Sequence, residues 1–314
     1  MESFHVPGHR IALRDRPARE VTPFVGGVPI RLDDNGTYEV GQMYVQHFEP
    51  EPCPGRLPVV LIHGGGMTGV NWETTPDGRE GWLPLLLRRG REVYVVDQPE
   101  RGRSGYIPFP EHAPGERYFF SLEASFNLLR IGAGQGAWSD DPAKRRMLPG
   151  CRFPGHAFEA FARQFSPGFT ANAPAQIAAM VSLIDRIGDC ALMFHSQGAS
   201  VGFNAAEARP GKVKGLVALE PAVGGAEPAR VADIPLLALY GDFIAEDPMG
   251  RWPKMLENAR RYYAAIRAAG GAPEEVHLPE LGVRGNSHML MMDDNHAEVL
   301  DLVERWLVGK GLWL

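Results

Sequence analysis

The chain has 314 residues, 44% hydrophobic and 22% charged, a composition that suits a globular protein large enough to bury a sizeable core. A net charge of -6 with scattered basic residues excludes the electrostatic footprint of a nucleic-acid binder, and no apolar run approaches the length of a membrane span. The expected partner is a small molecule, with neither nucleic acid nor membrane involved.

The elements follow in chain order. The opening MESFHVPGHRIALRDRPARE lacks the apolar core of a signal peptide, so the expected location is cytoplasmic, or periplasmic or secreted if a leader has been removed. Alternation on either side of Asp33-Asp34-Asn35-Gly36 predicts a β-hairpin. LPVVLIH then reads as a strand buried on both faces, EGWLPLLLRRG as a helix stopped by glycine, and EVYVVD as a second buried strand. Further on come a helix in PAQIAAMVSLIDRIGD, a strand in CALMFH and a small-residue helix in GASVGFNAAEARPG. Strands in VKGLVALE and IPLLALYG follow, with helices in MLENARRYYAAIRAAGG and HAEVLDLVERWLVGKG. Strands alternating with helices predict a doubly wound α/β core with a mostly parallel sheet. Residues 105–173 break the alternation with a stretch dense in proline, glycine and aromatics, too long for a plain connection. The expected organisation is a core of residues 1–104 and 174–314 carrying a cap or lid insertion at 105–173.

Cys53, Cys151 and Cys190 are too few and too dispersed for a disulfide framework, and no zinc spacing occurs. Free thiols are expected, with a Cys53–Cys151 bridge as the alternative.

The chemistry gathers at strand ends. In FHSQG, Ser196 sits where a strand runs into a helix, the context of a nucleophile elbow. Gly198 provides the small residue two places on, whereas Phe194 stands where the usual pattern has glycine; the other role open to Ser196 is a helix N-cap. In VVLIHGGGMTG, glycines after an early strand let backbone N–H groups approach a ligand oxygen, and Gly65 and Gln197 are the candidate oxyanion donors. His288, after the last apolar strand-like run and before the final helix, is the candidate base; His195, beside Ser196, is expected to point away from the site. Two acids compete to orient it: Glu220 in LVALEPA and Asp242 in ALYGDFI, each ending a buried run at the same edge of the sheet.

Together, VVLIHGGGMTGVNWETTPDGREGW, VVDQPERGRSG, HSQGAS, ALEPA and GVRGNSHMLMMD resemble the α/β-hydrolase superfamily, and in particular its esterase-713-like branch of bacterial carboxylesterases. The likeness covers most of the chain and is weakest in the insertion. It implies the α/β-hydrolase fold and a Ser-His-Glu triad, with the acid after the sixth strand, at Ser196, His288 and Glu220. It also implies backbone oxyanion donors at Gly65 and Gln197 and, at the superfamily level, a homodimer. Asp242 remains the alternative acid. Gly66, Met67, Trp72 and Met289 are candidates for the substrate wall, Ser104 and the Arg101–Arg103 pair belong to a structural loop, and the aromatics of the insertion divide between its own core and a binding wall.

The expected activity is serine carboxylic ester hydrolysis of a small hydrophobic or aryl ester through an acyl-enzyme on Ser196, with no metal or cofactor. The alternatives are the same triad acting on a lactone, a carbamate or a carbon–carbon bond next to a ketone, and a non-catalytic ligand-binding protein on the same fold.

Overall fold

The computed structural model describes residues 1–51 and 57–313. The chain begins with six strands: β1 (Glu2–Val6), β2 (His9–Leu13), β3 (Arg19–Val21), β4 (Ile30–Leu32), β5 (Gly36–Val40) and β6 (Met43–Phe48). They pair in nested fashion, β1 with β6, β2 with β5 and β3 with β4, all antiparallel. The outgoing limb is β1 to β3, the returning limb is β4 to β6, and the exposed tip carries Phe24, Val25 and Val28. The hairpin expected around Asp33–Gly36 is therefore corrected: β4 and β5 are successive pieces of one limb. Asp33 Oδ1 accepts the N–H of Asn35, an Asx turn. The Asn35 amide then reaches across to the other limb, accepting from Arg16 N–H at 2.9 Å and donating to Arg16 O at 2.8 Å. The turn chemistry makes a corner within a limb rather than a reversal.

The core follows with β7 (Val59–Ile62), α1 (Trp82–Arg88) and β8 (Val93–Asp97). The stretch from 105 to 173 holds β9 (Arg117–Tyr118), α2 (Leu122–Leu128), α3 (Phe158–Ala162) and β10 (Gly168–Phe169). Then come α4 (Ala173–Ile187), β11 (Cys190–His195), α5 (Gly198–Ala208), β12 (Val213–Leu219), β13 (Leu236–Tyr240), α6 (Trp252–Ala268), β14 (Glu274–His277) and α7 (His296–Gly309). Eight strands form the central sheet in the order β1-β6-β8-β7-β11-β12-β13-β14. It is parallel from β8 to β14, with β6 and β1 antiparallel at one edge.

Period-two alternation explains why the strands read as unbroken apolar runs. Val60, Ile62, Leu192 and Phe194 pack on the face covered by α4, α5 and α6, whereas Val59, Leu61 and Met193 pack on the face covered by α1 and α7. Both faces are covered, so neither needs polar residues. Within residues 105–173, Phe126, Phe158 and Phe161 are fully buried and meet edge-to-face, with Phe126–Phe158 centroids 5.0 Å apart and Phe158–Phe161 centroids 5.8 Å apart. Cys151 and Cys190 are free thiols, burial pushing each up to about 12; Cys53 lies outside the described residues. No helix among the described residues is long and apolar enough to cross a membrane.

Candidate active site

β11 ends at His195, α5 begins at Gly198, and the turn between them places Ser196 at φ +54°. A side chain adopts that left-handed conformation at a cost, and the surrounding structure must hold it there. Here Ser196 N–H donates to Leu219 O at 2.9 Å, tying the turn to the end of β12. Gly198 is required by close approach, since a β-carbon there would lie 2.6 Å from His63 O. The Ser196 hydroxyl caps no helix: α5 takes Gln197 as its N-cap residue, without a side-chain bond.

Glu220 follows β12 directly in the same left-handed conformation, at φ +51°. Its Oε2 accepts from His288 Nδ1 at 3.2 Å, while Oε1 accepts from Arg130 Nη2 at 2.6 Å and from Gly241 N–H. Glu220 and Arg130 are wholly buried and His288 nearly so. Burial alone would push the Glu220 carboxyl up, but the Arg130 charge and the bond from His288 outweigh it and hold it down at about 2. For His288 burial dominates, against the pull of Glu220, and takes it down to about 4. A neutral imidazole with its proton on Nδ1, facing the carboxylate, presents a lone pair at Nε2.

The loop bearing His288 is set by a buried polar cluster. Asp293 accepts from Ser287 N–H at 2.8 Å, from the Ser287 hydroxyl at 2.7 Å and from Asn286 Nδ2 at 3.0 Å. Burial nevertheless pushes Asp293 up to about 7. Asp242 is not at the imidazole: its Oδ2 accepts from Gly285 N–H at 3.0 Å, so it braces the foot of the His288 loop. His195 does not point away as expected, since its Nε2–H donates to His288 O at 2.9 Å and the two rings are 4.6 Å apart.

Ser196 and His288 line one cavity of about 410 Å³, together with Gly65, Gly66, Met67 and Gln197. Among the described residues the N–H groups of Gly65 and Gln197 are spent on no hydrogen bond, which leaves two donors at the wall beside Ser196. The glycine turn is held from behind by His63, whose Nδ1–H donates to Gly64 O and whose Nε2 accepts from Gln98 N–H. The rest of the wall is mostly apolar, with Tyr118, Phe119, Phe120 and Phe165 from residues 105–173 and Trp252 and Met255 from α6. Trp72 and Met289 are corrected: both are fully buried in the core under α1 and α7, where Trp72 packs on Trp82, and neither reaches the cavity. Ser104 is structural, giving its hydroxyl to Asp97 O. Arg103 is ion-paired with Asp97, whereas Arg101 is buried.

Two contributors are not visible in the sequence reading. Arg130 lies just after α2, and its signal in the sequence is a lone charge inside the run Leu128-Leu129-Arg130-Ile131. Trp252 lays its ring 3.9 Å from that of His288, and the Arg130 guanidinium stacks on the same Trp252 ring, 5.0 Å from its centroid. Among the described residues no three His, Cys, Asp or Glu side chains come together as a metal-binding set.

Comparison with known proteins shows the family to which the chain belongs. Residues 58–267 match a family described as alpha/beta hydrolase fold. The chain is 29% identical, over 324 aligned positions and 87% of each sequence, to a probable secreted lipase, phiG, of Fungal sp. (strain ATCC 74256). A solved structure described as that of a novel bacterial esterase superposes with a TM-score of 0.82 at 30% identity, over 98% of this chain and 95% of the other.

Proposed function

For a chain that belongs to the α/β-hydrolase family, in its esterase-like branch, we propose serine carboxylic ester hydrolysis through an acyl-enzyme on Ser196. The observation that carries this reading is the strained strand-to-helix serine sharing a cavity with a histidine whose Nδ1 is bound to a buried glutamate. His288 Nε2 takes the Ser196 proton as the serine oxygen attacks the ester carbonyl. The N–H groups of Gly65 and Gln197 receive the oxyanion, a contribution of the order of 10²–10³ in rate per donor in comparable sites. Glu220 stabilises the imidazolium, which then protonates the leaving alcohol. A water molecule, deprotonated by His288, releases the acid and restores Ser196.

A cavity of about 410 Å³ walled by aromatic and apolar side chains suits a compact ester with an aryl or hydrophobic part rather than a polymer. Residues 105–173, which supply four of those aromatics, act as the cap in this reading. A cytoplasmic location is proposed alongside, supported by the free thiols of Cys151 and Cys190. Since one relative is named as a secreted protein, cell fractionation is the check. A homodimer is the proposed assembly, and the exposed apolar tip formed by Phe24, Val25 and Val28 supports it; sedimentation velocity measures it.

The deciding experiment is intact-mass spectrometry after exposure to a fluorophosphonate, alongside hydrolysis of a short aryl ester, for the parent and Ser196→Ala. One adduct and turnover, both lost in the variant, support the reading. No adduct on folded protein overturns it in favour of a ligand-binding role.

A further inference from the structure

Three consecutive residues of the insertion each hold part of the site. Leu128 O accepts from Trp252 Nε1 at 2.6 Å, Leu129 O accepts from His288 N–H at 3.0 Å, and Arg130 binds Glu220 at 2.6 Å through Nη2. Arg130 Nε also donates to Asp242 O at 2.9 Å, so the guanidinium spans the ends of β12 and β13. The residue itself is held at φ +54°, a third left-handed non-glycine position beside Ser196 and Glu220.

We propose that Arg130 is a positioning residue of this site: its guanidinium keeps Glu220 ionised and turned toward His288, so that segment 128–130 completes an arrangement begun by the core. The proposal deepens the serine-hydrolase reading and rests on it. A buried carboxylate beside an imidazole has two ways to gain a counter-charge: a fixed cation, or the imidazole taking up a proton. In the second case His288 would rest as imidazolium and have no lone pair for the serine proton. Arg130 supplies the first, leaving the resting pair neutral overall and His288 free to act as a base.

The other groups around the imidazole do not replace this charge. His195 is buried and held well below its ordinary value by burial, so it brings no cation. Asp247 adds negative charge, which favours protonation of His288. Trp252 packs on the ring, and Tyr240, the last residue of β13 and a neighbour of Glu220 rather than of the imidazole, is a neutral phenol pushed further up by burial.

A structural ion pair would also explain the contact, so the test reads His288 directly. Parent, Arg130→Met and Arg130→Lys are titrated by histidine side-chain NMR, with the His288 signal assigned by His288→Gln, and the pH profile of fluorophosphonate labelling at Ser196 is recorded in parallel. Arg130→Met is expected to raise the His288 midpoint and the acid limb of labelling by about one pH unit or more, and so to slow labelling at pH 4, on that limb, by roughly fivefold or more. Arg130→Lys is expected to move both in the same direction by less. If Met does not fold, the lysine shift against the parent decides. An unmoved midpoint, or equal effects of Lys and Met, overturns the proposal and leaves Arg130 a structural tie. A parent that is not labelled at all sinks the serine-hydrolase reading, while the NMR midpoint still decides what Arg130 does to His288.

Discussion

The ring of Phe194 fills the space that Gly202 leaves open: a β-carbon at residue 202 would lie 2.2 Å from the Phe194 ring. The large residue two places before the serine therefore does not crowd the turn. It faces away into the core, edge-on to Phe203 at 4.8 Å, and the glycine is displaced to the first turns of α5. Gly202→Ala is expected to cost about 1–3 kcal/mol by overpacking, read as a lower Tm. The penalty should shrink in a Phe194→Ala background, and equal penalties in the two backgrounds would show that the contact is not limiting.

The two strand-end acids separate by kinetics. Glu220→Gln should lower kcat by about 10³–10⁴, as loss of an orienting acid does in comparable triads, and should lower Tm because it leaves Arg130 buried without its partner. Asp242→Asn disturbs one bond to Gly285 N–H and should stay within about tenfold. Reversed magnitudes would move the acid to the end of β13.

The glycine turn offers a graded pair. A β-carbon at Gly64 would lie 2.7 Å from His195 Nδ1 and 3.1 Å from Ser196 Cβ, both fixed. At Gly65 the nearest atom is Gln197 Oε1 at 2.4 Å, the far end of a side chain that can swing away. Gly64→Ala should therefore reduce fluorophosphonate labelling far more than Gly65→Ala, by about tenfold or more. The opposite order would mean that the turn shifts as a unit.

Stability should fall on the acid side of neutrality. His63, His288 and His296 are taken down to about 4 by burial and His195 well below its ordinary value, so between about pH 6.5 and 4 the unfolded chain binds four protons that the folded one refuses. Asp293, pushed up to about 7, works the other way: the folded chain holds its proton across that window, while the unfolded one does not. The net of three protons predicts a loss of about 4 kcal/mol per pH unit as pH falls through the window. Denaturant melts at pH 7, 6 and 5 check it; a flat profile would require these histidines to be hydrated.

How much was legible in the sequence follows from how local each signal is. The core strands could be read because helices cover both faces, so no polar residue interrupts Val59–Ile62 or Cys190–His195. Ser196, Glu220 and His288 were legible as polar residues stranded at the ends of such runs. The Asp33–Gly36 turn misled because its decisive partner, Arg16, lies on the other limb. Arg130 stayed hidden because its carboxylate is 90 residues away and the stretch from 105 to 173 has no period to place it. Met289 follows His288 directly and Trp72 lies shortly after the glycine turn, yet both side chains pack into the core under α1 and α7, a placement that only the folded loops decide.

The strand order also sets a timetable. β7 lies between β8 and β11, and its register with β11 joins Val59–Ile62 to Ala191–Phe194, roughly 130 residues later, which at ribosomal speeds of 5–20 residues per second is a wait of about ten seconds. For that interval the centre of the future sheet is an open apolar edge, protected only by whatever the newborn chain or a chaperone lays over it. Nascent chains stalled before residue 190 should thus be captured by holdase chaperones and released once β11 has cleared the exit tunnel.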